Sequence, residues 1–250
     1  MERDLKYKLK PVNKIKENEI LRMFILMEEN YDFIDYKNFN TDLYNKDYIG
    51  LLIDNKDIIQ GFTTYSINPK KYLHPEYNIL FSGDTVISEH FVGSQELGRG
   101  WAKTVAFFMH RYPKKKLLWY LMSKGHRTYL YLPYFFKKYY PALEENNNDA
   151  SLKKIIDECS IYLFSNHWDT KKGIVKFKNK VGQLKQKHIK KSLHKNNKYV
   201  DFFLRKNPGF SNGDELVCMT EISLDNLMRL PKLILARSLK AQKYLDDNKN

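Results

Sequence analysis

Cysteine is nearly absent from this chain, with only Cys159 and Cys218 among 250 residues. Neither sits at metal-ligand or redox spacing, which excludes a disulfide scaffold and a zinc module and leaves both as small buried hydrophobes. Long apolar runs are missing too, and no window approaches the roughly 20 residues of a membrane span. The opening Met1-Glu2-Arg3-Asp4-Leu5-Lys6 carries charge where a signal peptide would be apolar, so the chain reads as cytosolic. No repeat of the solenoid or propeller kind is visible. Negative charge is in short supply, since 29 Asp+Glu face 43 Lys+Arg and the formal charge is +14.

What is present is enough to build a core. At 42% hydrophobic and 14% aromatic residues, collagen-like, disordered and coiled-coil readings are excluded. The excess of positive charge points to an anionic partner, which is a nucleic acid, a membrane surface, an acidic protein or a phosphorylated cofactor. A lysine-rich surface shaped by coding bias is the other account of it.

Apolar spacing gives an element order. Ile20, Leu21, Phe24, Ile25 and Met27 recur at helical intervals within 17–31. Two apolar runs, 48–53 and 58–66, flank Asp54-Asn55-Lys56-Asp57 and read as a hairpin. The run 77–91 is long for a strand, and Gly83-Asp84 inside it predicts a bulge or break. A helix follows, with Trp101, Val105, Phe108 and Met109 on one face and Pro113 as its stop. A strand over 117–122 and an aromatic helix over 128–139 complete an α/β series. Beyond Pro141, Ser151 is read as the cap of a helix over 151–164, and 171–198 is strongly basic. Strands are predicted over 199–204 and 215–222, then a C-terminal helix from about Leu224, capped by Ser223.

Chemistry concentrates in Phe91-Val92-Gly93-Ser94-Gln95-Glu96-Leu97-Gly98-Arg99-Gly100-Trp101, between a strand and a helix. Small residues at a helix N-terminus let backbone N–H groups and the helix dipole face an anion such as a pyrophosphate, although an ordinary tight turn uses the same glycines. The Lys-Ser/Thr ending of a nucleotide-hydrolysing loop and the third glycine of a dinucleotide fold are both missing. The spacing Gln95-x-x-Gly98-x-Gly100, in this element order, resembles the acyl-CoA-binding signature of the GNAT acyltransferase superfamily.

The resemblance covers roughly 17–143, with 199–222 as the last two strands. It implies a mixed, mostly antiparallel sheet flanked by helices, in one domain over 1–250 with a lysine-rich helical insertion at 144–198. It also implies acyl transfer from acetyl-CoA or a longer acyl-CoA to an amine acceptor. Gln95 would open the cofactor loop, Gly98, Arg99, Gly100 and Trp101 would offer backbone donors to the pyrophosphate, and a backbone N–H near His90 or Phe91 would stabilise the oxyanion. Glu89 and His90, at the end of the long strand, become candidates for the general base. Family members often carry a tyrosine as general acid in the helix after the next strand. Phe135 falls at that position here, which leaves Tyr134, Tyr131 and Tyr139 as alternatives.

The insertion, 144–198, has no mechanism of its own. Lys176, Lys178, Lys180, Lys185, Lys187, Lys190, Lys191 and Lys195 share no helical face, so a solvated surface helix anchored by Ile174, Phe177, Val181 and Leu184 is expected. Its charge would suit CoA phosphates or an acidic acyl-carrier protein, the donor used by acyl-homoserine-lactone and N-acyl amino acid synthases. With no nucleic-acid motif beside the lysines, RNA ranks last among these partners, and a basic regulatory or nucleic-acid-binding module is the reading from a different class.

Overall fold

The structure, a computed structural model, describes residues 4–177, 182–193 and 196–247. In chain order its elements are β1 Leu5–Pro11, α1 Glu17–Asn30, β2 Tyr31–Asp32, α2 Tyr36–Tyr44, β3 Tyr48–Asp54, β4 Ile59–Ile67 and β5 Tyr77–Ile87. There follow α3 Glu96–Arg111, β6 Lys116–Ser123, α4 His126–Tyr129, α5 Tyr131–Phe135 and α6 Leu152–Phe164. The chain continues through β7 Trp168–Asp169, β8 Ile174–Val175, β9 Gln183–Leu184, α7 Gln186–Leu193, α8 Lys198–Lys206, β10 Glu215–Ile222 and α9 Arg229–Asp247. Among the described residues these strands form an eight-stranded sheet, ordered β1-β3-β4-β5-β6-β10-β8-β7, and a separate β2-β9 pair. Among these described strands β5 and β6 run parallel and the other pairings are antiparallel. This is the mixed, mostly antiparallel sheet flanked by helices that the resemblance implies.

Each face of the sheet buries an apolar layer. Trp101, Val105 and Phe108 of α3 pack with Leu235 of α9 over Tyr65, Leu80, Trp119 and Leu121. The opposite face is covered by Met23, Leu26 and Met27 of α1 with Phe39 and Leu43 of α2, and farther along by Ile156 and Cys159 of α6. Both cysteines are buried and unpaired.

Several elements differ from expectation. The run 199–204 is a helix, α8, because Asn197 caps it by accepting from the amides of Tyr199 and Val200 at 2.9 and 3.3 Å. Val200 and Phe203, one helical turn apart, are its fully buried residues. β1 appears where only charge was visible: Leu5, Tyr7 and Leu9 alternate with Lys6, Lys8 and Lys10, and the strand pairs with β3. α2 was likewise unread, although Asp35 caps it by accepting from the Asn38 amide. The aromatic helix over 128–139 ends at Phe135 and is split into α4 and α5. Ser151 makes no cap, since its hydroxyl donates to Asp149 Oδ1 instead. Ser223 accepts from the Asn226 amide in a turn that precedes α9, which begins only at Arg229.

The insertion is no single surface helix. Ile174 and Val175 are buried in β8, which pairs with β10 and so extends the main sheet. Leu184 belongs to β9, held against Tyr31 of β2. Phe177 stacks on His167. The expected anchor Val181 and the lysines 178, 180 and 195 lie outside the described residues.

Candidate active site

The parallel strands β5 and β6 stay in register from Tyr77↔Lys116 to Ser82↔Leu121, then part. The cause is local. In β5 the two residues Gly83 and Asp84 stand opposite the single residue Thr64 of β4, and the bulge turns β5 away to follow β4 as far as Ile87. Meanwhile β6 continues beside β10 to Ser123. A Cβ at position 83 would lie 2.6 Å from Thr64 Oγ1 and 3.1 Å from Lys46 Cε, so a larger residue there requires the Thr64 side chain to move.

Between the parted strands lies a cavity of about 1010 Å³. It reaches Leu97 in the first turn of α3 and Tyr131 of α5 on one side, and α1, α2 and the insertion on the other. Asp84 lines it. Burial, with the Asp42 carboxylate adding to it, pushes the Asp84 carboxyl up to about 6, against the opposing pull of Lys46 and Lys124. Both lysines are tied to other carboxylates, Lys46 to Asp42 at 2.6 Å and Lys124 to Glu215 at 3.2 Å. Burial works to lower the Lys124 ammonium, but Glu215, Tyr31 and Asp84 outweigh it and its pKa is raised. A carboxyl that titrates near neutrality at the lip of a cleft has the properties of a proton acceptor.

The residues singled out in sequence are not all brought to this cavity. Glu89 and His90 lie in a 3-10 turn after β5 has ended, both exposed and neither on the cavity wall. Glu89 pairs with Lys187 of α7 at 3.3 Å. Tyr134 is 50% exposed and its hydroxyl accepts from Asn197 Nδ2 at 2.9 Å, outside the cavity. Tyr139 is buried in the apolar layer under α3. Of the three tyrosines only Tyr131 lines the cavity; it packs on Trp119 and Phe135, and burial raises its phenol so that the proton stays on the oxygen.

The loop divides similarly. Because α3 starts at Glu96, the Arg99 amide already donates to the Gln95 carbonyl at 3.0 Å, and helical geometry commits those of Gly100 and Trp101 to carbonyls one turn back. The Phe91 amide donates to Ser88 O at 2.9 Å. Leu97 and Gly98, at the second and third helical positions, offer the outward amides of this terminus. A Cβ at Gly98 would meet only Phe135 Cζ, at 3.8 Å, so the space between α3 and α5 is open there. Gly100 serves packing instead: a Cβ would come within 2.0 Å of the Tyr7 ring, which also covers Gly50 and whose hydroxyl pairs with Thr104 Oγ1 at 2.6 Å. Gln95 and Arg99 are exposed and bonded to each other, Arg99 donating to Gln95 Oε1 at 3.2 Å and to Glu96 at 2.8 Å. With Gly93, whose φ is +94°, they line an outer hollow of about 410 Å³. The Trp101 indole N–H is buried without a hydrogen-bond partner.

Asp84 is the residue that sequence reading passed over. Its signal was present as a Gly-Asp pair inside an otherwise apolar strand, which marked the bulge but not what the bulge presents. Among the described residues no group of His, Cys, Asp and Glu is arranged to hold a metal, and no helix is long and apolar enough to cross a membrane.

No family model and no curated protein matches the chain. Solved structures do. The chain is similar to ElaA of Escherichia coli, at 16% identity over 59% of this chain and 95% of that one, with a TM-score of 0.40. It is similar also to a GNAT family N-acetyltransferase of Escherichia coli, YhbS, in complex with CoA, at 10% identity over 55% and 72% of the two chains, with a TM-score of 0.37. A third likeness is to a probable N-acyltransferase of Enterococcus faecalis V583, at 12% identity and a TM-score of 0.38 over 54% of this chain; the match spans 33% of that longer protein. Each of these likenesses spans somewhat more than half of this chain.

Proposed function

We propose that the protein is an acyltransferase that takes an acyl group from acetyl-CoA or a longer acyl-CoA and delivers it to an amine. The observation that carries this reading is the cavity between parted β5 and β6, which joins a helix N-terminus on one side to the half-buried carboxyl of Asp84 on the other.

The residues fit a pyrophosphate-bearing thioester. The Leu97 and Gly98 amides lie in the first turn of α3, where the helix dipole favours an anion, and Leu97 lines the cavity. Such a cofactor, when bound, supplies an activated acyl carbonyl. Asp84 accepts a proton from the acceptor's nitrogen, so the N–H bond breaks and an O–H bond forms on the carboxylate. Tyr131, kept protonated by burial, is the proton donor on the cofactor side. Phe39, Phe81 and Val86 contribute apolar wall to the same cavity.

The test is binding first and turnover second. Acetyl-CoA at 100 times its dissociation constant is expected to stabilise the full chain by about 2.7 kcal/mol in thermal denaturation. A panel of acyl-CoA chain lengths with a mixture of small amines is expected to release free thiol. Absence of both effects overturns the reading.

A further inference from the structure

Among the described residues, every charged group that lines the cavity has an ion-pair or hydrogen-bond partner, with one exception of each sign. Four cations face it: Lys46, Lys70, Lys124 and Arg127. Lys46 and Lys124 are ion-paired as described, and the Lys70 ammonium donates to the carbonyl of Leu163 at 2.8 Å. Arg127, exposed at the first turn of α4, has no carboxylate partner among the described residues. Of the carboxylates, Asp42 and Glu215 are paired and Asp35 caps α2, which leaves Asp84 without a direct ion pair. Arg127, Asp84 and Tyr31 line the same cavity. Arg127 and Asp84 both act electrostatically on the Tyr31 phenol, Arg127 lowering and Asp84 raising its pKa, which burial pushes up to about 12. Tyr31 belongs to β2, on the side of the cavity away from α3, and aromatic rings of Tyr31, Phe39, Phe81 and Phe177 stand around the space.

We propose that the acceptor is an α-amino acid with an apolar side chain, its ammonium held by Asp84 and its carboxylate by the unpaired fork of Arg127. The inference rests on the acyl-transfer reading and names the substrate class of that same site. A guanidinium presents a planar pair of donors that matches a carboxylate in two parallel hydrogen bonds, and an arginine left unpaired at a cavity mouth costs nothing until an anion arrives. A zwitterionic amino acid satisfies both exceptions at once. A simple amine leaves Arg127 unused. The aromatic surround then takes the side chain.

The test uses matched pairs that differ only by the carboxylate: L-phenylalanine against phenethylamine, and L-leucine against isopentylamine. With acetyl-CoA and the full chain, kcat/KM is expected to favour the amino acid of each pair by at least about tenfold, the scale of one charge-assisted hydrogen bond. Arg127→Leu is expected to bring that ratio to within about threefold of unity, and Arg127→Lys to restore part of it. A ratio near one in the unaltered protein, or one preserved in Arg127→Leu, overturns the proposal. Isothermal titration of the same four probes reads the preference without turnover. Equal dissociation constants within each pair overturn the Arg127 assignment even if acyl transfer to other amines occurs. Carboxylate-selective binding with no binding of CoA overturns the acyl-transfer reading and leaves the Arg127 site standing.

Discussion

Asp84 combines a cost to folding with a use in chemistry, and the two can be separated by experiment. Its carboxyl keeps a proton up to about pH 6 in the folded protein, against an ordinary value of 3.8. A raised carboxyl pKa means that the folded state holds the proton more tightly than the unfolded chain. Stability is therefore lost as pH rises between those two values and stays lower above them. Asp84→Asn removes the cost. The variant is expected to be more stable than the parent by about 1–3 kcal/mol near neutral pH, with the difference vanishing below about pH 4. Denaturant titrations at several pH values check this. The same variant is expected to lose about 10²–10⁴-fold in kcat, the usual contribution of general base catalysis, while the parent's kcat/KM falls as pH drops through about 6. A second comparison concerns the tyrosines. Tyr131→Phe is expected to lower kcat by about tenfold or more, whereas Tyr134→Phe, which removes only an exposed contact with Asn197, is expected to leave kcat within about threefold. Single-turnover kinetics with both variants reads the difference.

At the scale of elements, one motif holds two glycines in different surroundings, Gly98 beside open space and Gly100 against the Tyr7 ring, which sequence alone could not separate. Gln95-x-x-Gly98-x-Gly100 marked a helix terminus, because strand, glycine-rich loop and helix are a local pattern. Which glycine faces a ligand depends on where the helix begins and on what lies across from it, and Tyr7 is nearly a hundred residues away in β1, an element the sequence reading did not find. The bulge at Gly83-Asp84 was legible for the same local reason, and its aim into the cavity was not, since that requires α2 and β6 to be in place. α8 was misread because a short apolar run satisfies both periods, and the Asn197 cap decides between them. These distinctions predict opposite outcomes for the two glycines. Gly98→Ala meets nothing closer than Phe135 and is expected to fold with equal or greater stability, while Gly98→Glu is expected to weaken CoA binding at least tenfold without loss of the fold. Gly100→Ala collides with the Tyr7 ring and is expected to cost about 1–3 kcal/mol or more. In a Tyr7→Ala background most of that cost should disappear, a coupling that a double-mutant cycle measures.

For the molecule as a whole, the open issue is whether 144–198 is an appendage or part of the folding unit. Its lysine content suggested an appendage, and a solvated helix would have been one. β8, however, lies beside β10, with Glu215 paired in register to Val175. The same Glu215 holds Lys124 at the cavity, so the insertion, the sheet edge and the charged lining share one strand. Leu184 and His188 extend this by contributing to the cavity wall. The net charge of +14 therefore sits partly on a segment that shapes the candidate site. If that coupling is real, the insertion and the sheet lose structure together. The three tryptophans make this measurable: Trp168 stands in β7, whereas Trp101 and Trp119 pack against each other at a tilt in the apolar layer under α3. Trp168→Phe leaves fluorescence that reports the sheet core. Trp101→Phe with Trp119→Phe leaves a reporter in the insertion, and a Trp101→Phe, Trp119→Phe, Ile174→Ala chain adds a cavity in β8. Denaturant curves of the two reporters, each referred to its own chain's circular dichroism midpoint, are expected to show one shared transition. Ile174→Ala is expected to lower both the fluorescence and the circular dichroism midpoint together, by about 2–4 kcal/mol, because its side chain is buried against the main sheet. If the Trp168 signal shifts while the circular dichroism midpoint stays in place, the insertion unfolds on its own and does not brace the cavity.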